Sequence, residues 1–243
     1  MSIIGGSQLG FRWRWPGGEP GLPDYPNPGF EDNFVGWTPV ASRFTFNSTA
    51  IHGVTSPPNI SPVPYGVGDV YGGTFLTPPT AGIVTHGSYG YITPLSVALG
   101  GYKCVSLKSS MVQSGGYGSL YGPYFYSNNP VFLSAGDSIE FYWASLASNN
   151  ISENDAPLAR AYGFTKSGKY IWLLNFSHPP KPPRSEYPVP WSKATYTLTA
   201  GQEGAYYFVF VCGSWDATGG TVVGSTLLVD SIVVKRNTIF TGE

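Results

Sequence analysis

A single carboxylate interrupts an apolar run near the end of the chain. Asp230 lies within LLVDSIVV, residues 227–234, which otherwise has the composition of a β-strand. A charged side chain inside an apolar strand is costly unless it is paired, hydrogen-bonded or bound to a metal ion. Asp230 must therefore either face water, accept hydrogen bonds from turn amides, or have a charged partner.

Residue types that carry out acid, base or nucleophilic catalysis are present, but no motif brings them together. His52, His86 and His178 lie in Gly- and Pro-rich segments without HxH or HExxH spacing, so we expect all three at the surface. The sequence has no GxSxG elbow, phosphate-binding Gly-Lys loop or Rossmann fingerprint. A glycosidase would need two carboxylates about 5 to 9.5 Å apart across a cleft. No spacing pairs the available acids in this way, and we predict no enzymatic activity. These acids are Glu140, Glu153, Asp155, Glu186, Glu203 and Asp216, and the last is interpreted as an Asx-turn residue before two glycines.

Aromatic side chains are the candidates for ligand contact. The chain contains 7 Trp and 17 Tyr, and an exposed aromatic ring stacks well on the apolar face of a sugar. The candidate carbohydrate-binding residues are Trp143, Tyr170 and Trp172 on predicted strands, or the tyrosines of GGYGSLYGPYFY, residues 115–126. Burial in the core is the alternative for each of them.

Composition and charge exclude several classes of partner. Charged residues make up 11% of the chain and the net charge is −1, so the basic footprint that holds nucleic acid or anionic lipid is missing. No run approaches the ~18 apolar residues of a membrane span. We therefore expect no nucleic-acid or membrane partner. The two cysteines, Cys104 and Cys212, are either small core residues or one disulfide.

The turn-rich composition predicts an all-β protein with long loops. The chain has 32 Gly and 22 Pro, and no window shows sustained helical periodicity. Short strands alternate with turn signals, as is typical of β-sandwiches. One predicted hairpin, residues 159–176, has Ser167 and Gly168 at its tip. In IEFYWAS the sequence does not decide which alternating face points inward, Phe141 with Trp143 or Tyr142 with Ala144.

These patterns divide the chain into an arm, a sandwich and a tail. We predict an extended N-terminal arm over residues 1–26, a β-sandwich over 27–236 and a tail over 237–243. A long loop insertion is expected at about residues 53–94, where Pro, Gly, Thr and Tyr dominate. Further loops are expected over GGYGSLYGPYFYSNNP and over residues 177–190.

The N-terminal arm contains an alternating aromatic and basic segment. In FRWRW, a period of two places Phe11, Trp13 and Trp15 on one face and Arg12 and Arg14 on the other. The segment is either an edge strand of its own domain or an arm that docks onto a neighbouring subunit.

The order of several motifs resembles a known family of sandwiches. NPGFEDNFVGW at 27–37, YKCVSLKSS at 102–110, LSAGDSIEFYWAS and the closing LLVDSIVV are similar to the jelly-roll β-sandwich of carbohydrate-binding modules and other galactose-binding-like domains. Pro28 departs from the family's opening pattern. The closing region, residues 208–234, is also similar to modules of phage virion proteins, especially cyanophage ones, and of bacterial surface proteins.

The resemblance implies a role for Asp230. In those families the first and last strands lie side by side, and a Glu of the opening motif and an Asp of the closing strand hold a structural calcium ion. The matching positions here are Glu31 and Asp230. Backbone carbonyls and water would complete the oxygen ligands that calcium prefers.

Together these observations predict a non-enzymatic structural or adhesion protein. The first hypothesis is a phage virion component, such as a head decoration, connector or tail appendage, assembled in the host cytoplasm. It would dock onto other capsid or tail subunits through Phe11–Trp15 and could form a homo-oligomer. The alternative is an extracellular carbohydrate-binding module that recognises a cell-surface polysaccharide.

Overall fold

The architecture is taken from a computed structural model of the chain. The structure describes residues 27–46, 49–55, 73–89, 92–96, 101–112, 118–151, 156–177, 184–216 and 222–237. The predicted arm, residues 1–26, and all of the predicted tail except Asn237 lie outside the described residues.

Strands account for nearly all the regular structure in the described ranges. Within the described part of the chain, one short 3-10 turn, His86–Ser88, interrupts them. No helix in these ranges is long and apolar enough to span a bilayer. The strands are β1 (Trp37–Val40), β2 (Ala50–Ile51), β3 (Val54–Thr55), β4 (Thr74–Phe75), β5 (Thr80–Thr85), β6 (Lys103–Val112), β7 (Gly118–Ser127), β8 (Val131–Leu133), β9 (Ser138–Ile151), β10 (Ala156–Thr165), β11 (Tyr170–Ser177), β12 (Arg184–Thr197), β13 (Gly204–Asp216) and β14 (Val222–Lys235).

Two six-stranded antiparallel sheets form the body. The first sheet has the order β1, β7, β13, β10, β11, with β8 added beside β13. The second has the order β12, β9, β14, β6, β4, with β5 also paired to β6. The short strands β2 and β3 form a separate hairpin.

The eight long strands follow jelly-roll topology. Counted along the chain from β6, the first pairs with the eighth, the second with the seventh, the third with the sixth and the fourth with the fifth. The first and third of these pairs lie in the second sheet, and the other two lie in the first sheet. This is one long antiparallel ribbon rolled into two facing sheets. The predicted fold class, an all-β jelly-roll sandwich, is therefore confirmed.

The main core lies between the two sheets. Phe125 and Phe210 of the first sheet stack at 4.8 Å, and Phe141 of the second sheet meets Phe210 edge-on at 5.0 Å. Phe141 and Trp143 both belong to this core, which settles the face of β9 that the sequence left open. Ring pairs of this kind add to the hydrophobic gain from burial.

A second apolar layer covers the outer face of the first sheet. Phe44 and Phe46 are fully buried there, and Ile51 is 4% exposed. Phe46 meets Tyr121 edge-on at 5.0 Å, and Phe44 meets Tyr124 at 5.0 Å. The stretch from Ser42 crosses this face and joins the sheet through an isolated bridge between Phe44 and Tyr121.

The outer face of the second sheet carries a smaller apolar cover. Ile92 is buried against Cys104, Ala144 and Leu228, with Trp191 packed beside them. Cys104 therefore lies outside the main core, whereas Cys212 lies between the sheets. Both thiols are free, so the disulfide alternative is excluded.

Three predicted loops contain strands. The Gly/Tyr-rich stretch after residue 115 contains β7, a neighbour of β13 in the first sheet. Part of the Pro-rich stretch 177–190 belongs to β12, and β4 and β5 lie within the predicted insertion. Pairing with distant strands overrode local composition in each case. The hairpin over 159–176 is confirmed, and Gly168 at its tip adopts φ +89°.

The two ends of the sandwich do not share a sheet, contrary to expectation. The strand β1 pairs with β7 in the first sheet, and β14 pairs with β6 and β9 in the second. The opening segment from Asn27 forms turns, and it reaches the closing strand through a hydrogen bond from the Ile232 amide to the Pro28 carbonyl, 3.0 Å long. This hydrogen bond brings the two ends of the sandwich together, and no pairing between the first and last strands is involved.

Candidate functional site

Asp230 has a partner that the sequence did not suggest. Its side chain is fully buried, and its Oδ2 lies 2.8 Å from Nε2 of His86. Because an ionised carboxylate only accepts hydrogen bonds, the imidazole Nε2 donates. The Ser231 amide donates to Oδ1 at 2.6 Å. The interruption of the apolar run is thus explained by a buried imidazole–carboxylate pair.

An irregularity in β14 places this carboxylate. The pairing with β9 shifts register between Asp230 and Val233, and Ser231 adopts φ +51°. A bulge of this kind bends a strand and redirects a side chain. It also releases the Ile232 amide for its bond to Pro28.

The electrostatics of Asp230 reflect its burial. Burial raises the pKa of Asp230 to about 6, and the negative charge of Glu31 adds to the rise, while the hydrogen bonds from His86 and the Ser231 amide act in the opposite direction. The pKa of the neighbouring Cys104 is raised to about 12, first by burial and then by the charge of Asp230. Such a thiol is not a nucleophile at neutral pH.

His86 corrects the expectation that all histidines are superficial. It is 6% exposed and directly follows β5, whose backbone pairs with β6. The signal that could have located it is the short apolar run AGIVT before it, which the surrounding Gly and Pro residues obscured. His52 is exposed, as expected, and His178 lies outside the described residues.

Glu31 is exposed and binds the backbone of the segment before β6. Its Oε1 accepts hydrogen bonds from the amides of Tyr102 and Lys103, at 2.6 and 2.8 Å. Its backbone carbonyl accepts a hydrogen bond from the Lys103 ammonium, Nζ to O 2.7 Å. Gly101 lies so close to this carboxylate that a side chain at that position would collide with it.

These contacts do not suit the calcium ion that the resemblance implies. Calcium prefers oxygen ligands with no competing cation, yet Lys103 brings an ammonium to the Glu31 carbonyl and His86 binds Asp230. Within the described ranges no group of three or more His, Cys, Asp or Glu side chains could hold a metal ion. The oxygen atoms of Glu31 and Asp230 that would bind the ion instead accept hydrogen bonds from protein groups.

The candidate acids that the structure describes each have a separate structural environment. Glu140 lies 2.7 Å from Lys193 and 2.8 Å from Lys235, which makes it the centre of an ion-pair network. Asp216, interpreted from the sequence as an Asx-turn residue, is the fully buried last residue of β13. Glu203 caps a turn by accepting from the Gly201 amide.

The three aromatic candidates have different environments. Trp143 is 7% exposed and packs on Phe176, with ring centroids 4.7 Å apart, so it offers no face to a sugar. Among the loop tyrosines, Tyr121 and Tyr124 are also buried. Tyr170 is 43% exposed, and Trp172 is partly exposed.

Tyr170 belongs to a row of aromatic rings on the outer face of the first sheet. It is directly opposite Phe164, which is opposite Tyr207 on the next strand. Directly opposite residues of antiparallel strands point to the same face. The His52 ring packs on Tyr207 at 4.2 Å, and the Lys166 ammonium lies 5.9 Å from the centre of the Tyr207 ring. Phe164 and Tyr207 are buried, at 3% and 7% exposed, so they support the row from within the sheet, and Tyr170 and Trp172 supply its accessible rings. We call Tyr170, Phe164, Tyr207 and the adjoining Trp172 the aromatic row.

A polar groove on the second sheet is the other candidate surface for ligand binding. It has a volume of about 200 Å³ and is lined by hydroxyl groups and one ammonium, and none of its lining residues is aromatic. The lining residues are Thr77, Pro78, Thr80, Lys108, Ser109, Ser110, Ser225 and Thr226.

Comparisons with known proteins add only distant structural similarity. No protein-family model matches the chain, and no curated protein matches it. One similar solved structure is a carbohydrate-binding module of the β-sandwich superfamily, 14% identical with TM-score 0.36, where the match covers 68% of this chain and 55% of that chain. Another is the module TmCBM61 in complex with β-1,4-galactotriose, 11% identical with TM-score 0.35, covering 89% of this chain and 100% of that chain.

A third similar structure is the N-terminal cellulose-binding domain of Cellulomonas fimi β-1,4-glucanase C, 15% identical with TM-score 0.28, covering 54% of this chain and 78% of that chain. TM-scores at this level carry no functional argument. The assignment of the jelly roll rests on the strand pairing described above.

Proposed function

We propose that the chain is a non-catalytic adhesion domain that binds a saccharide at the aromatic row of the first sheet. The observation that carries this proposal is Tyr170, a ring 43% exposed at the sheet edge and in register with two further rings. A binding face of this kind suits a protein that works at a cell or particle surface.

The chemistry of the row matches a sugar ring. A pyranose presents C–H groups on one face and hydroxyl groups around its rim, so it pairs with an aromatic ring flanked by polar groups. Tyr170 and Trp172 supply the rings at the edge. Lys166 and His52, both exposed, supply charge and hydrogen-bonding capacity close to Tyr207. The groove on the second sheet offers hydroxyl groups without an aromatic platform.

Affinity electrophoresis through a panel of polysaccharide gels tests the proposal. We expect the wild-type chain to be retarded by at least one polysaccharide. Tyr170→Ala should weaken that binding roughly tenfold, the loss of one stacking contact, while Tyr170→Phe should keep it. Tyr102→Ala is the matched control, because Tyr102 is a tyrosine 66% exposed that directly precedes β6 of the second sheet. Wild-type mobility that is unchanged in every gel, or equal retardation of Tyr170→Ala, would contradict the proposal.

Assembly into a phage particle through the N-terminal arm is the second candidate function. The alternation of aromatic and basic residues in FRWRW favours it, and the arm lies outside the described residues. A chain lacking residues 1–20 should then fail to co-purify with particles while still binding polysaccharide. Retention of the truncated chain on particles would argue against docking through this arm.

A further inference from the structure

The pair of Asp230 and His86 ties distant parts of the chain together at a buried point. The two residues are 144 positions apart, and their side chains are 0% and 5% exposed. His86 follows β5 at the edge of the second sheet, and Asp230 lies on the central strand β14. The pair therefore fastens the edge of the sheet to its centre.

The buried negative charge of Asp230 requires a compensating partner. Asp230 is close enough to Glu31 for the charge of one carboxylate to act on the other. Two carboxylates in one region repel unless a positive group or hydrogen-bond donors are supplied. Here the donors all come from the protein: the His86 imidazole and Ser231 amide for Asp230, and two amides for Glu31.

We propose that His86 replaces a metal ion as the partner of Asp230, so that this jelly roll closes without calcium. The imidazole satisfies the buried carboxylate, and the Lys103 ammonium satisfies the Glu31 carbonyl in the opening turn. The proposal is independent of saccharide binding.

The environment of His86 supports a fixed structural role. Its ring packs against Trp191 with centroids 5.2 Å apart, and its Nδ1 is buried with no hydrogen-bond partner among the residues that the structure describes. A ring with one nitrogen unsatisfied is held in place by packing and by its single strong bond to Asp230. A metal ion that approached Asp230 would have to displace this ring.

Thermal unfolding with and without calcium is the direct test. The wild-type melting temperature should be the same in excess calcium and in EDTA, and calorimetric titration should detect no calcium binding. His86→Ala should lower the melting temperature in EDTA by roughly 10 °C, because it leaves a buried carboxylate unpaired. Calcium should then restore part of that loss in the variant, since the ion can enter the vacated space.

Control variants separate this effect from a general loss of charge. Glu203→Gln removes a partly exposed carboxylate far from Asp230 in sequence and should neither lower the melting temperature appreciably nor create a calcium response. If His86→Ala does not fold, His86→Gln and the wild-type calorimetry still decide the question. Calcium binding by the wild-type chain, with a matching rise in melting temperature, would overturn the proposal. An unchanged melting temperature in both His86 variants would overturn it as well.

Discussion

Replacing Phe46 by alanine tests whether the outer face of the first sheet is a true second core. Phe46 is fully buried and contacts four rings, with centroid distances of 4.8 Å to Phe44, 5.0 Å to Tyr121, 6.0 Å to Trp172 and 6.1 Å to Tyr162. Truncating such a phenylalanine removes its transfer free energy and leaves a cavity, a loss of about 3 to 5 kcal/mol. At roughly 2 to 4 °C per kcal/mol for a chain of this size, the melting temperature should fall by about 6 to 20 °C.

Guanidinium chloride unfolding followed by tryptophan fluorescence is the appropriate assay, because Trp172 lies beside the substituted ring. Phe132→Ala is the control, since its ring is 39% exposed and its loss should cost less than about 1 kcal/mol. The covering stretch contributes to global stability only if it unfolds together with the sheet. A loss for Phe46→Ala no larger than for Phe132→Ala would show that the cover detaches independently, and would refute this account of the second layer.

The remaining predictions concern charge and thiol chemistry. Partial burial acts to raise the pKa of Glu140, but hydrogen bonds and attraction from Lys193 and Lys235 outweigh it and the pKa is lowered. Glu140→Gln should therefore cost about 1 kcal/mol at neutral pH, and the difference should vanish as the pH falls through the lowered pKa; a cost that persists in acid would contradict the ion-pair assignment. Burial is the main cause that raises the pKa of both Cys104 and Cys212 to about 12. A thiol reagent at neutral pH should label neither cysteine until the chain unfolds, and rapid labelling of the native chain would show that the packing is wrong.

The sequence was sufficient for the fold class because turn residues and alternating strands are local signals. The motif order pointed to a jelly roll, and the hairpin tip at Gly168 followed from local turn chemistry. The Gly/Tyr-rich stretch that forms β7 was interpreted as a loop, because its burial depends on β13, nearly a hundred residues later. Local composition carries no information about such a partner.

The candidate site was less accessible to sequence reasoning for the same reason. Asp230 was correctly singled out as a residue that needs explanation, but its partner His86 comes from a segment 144 positions away. From the sequence alone, Trp143 and Tyr170 are equivalent candidates for saccharide binding, because both are aromatic residues on predicted strands. Only the pairing of the sheets shows that Trp143 is 7% exposed while Tyr170 is 43% exposed.

The most direct test of saccharide binding at the aromatic row is NMR mapping of the surface that an oligosaccharide contacts. The ligand would be a fragment of whichever polysaccharide retards the chain, titrated into isotope-labelled protein. We expect the largest shift changes at Tyr170, Trp172 and Lys166, on the outer face of the first sheet. Changes concentrated instead around Lys108 and Thr226, in the groove of the second sheet, would contradict the account.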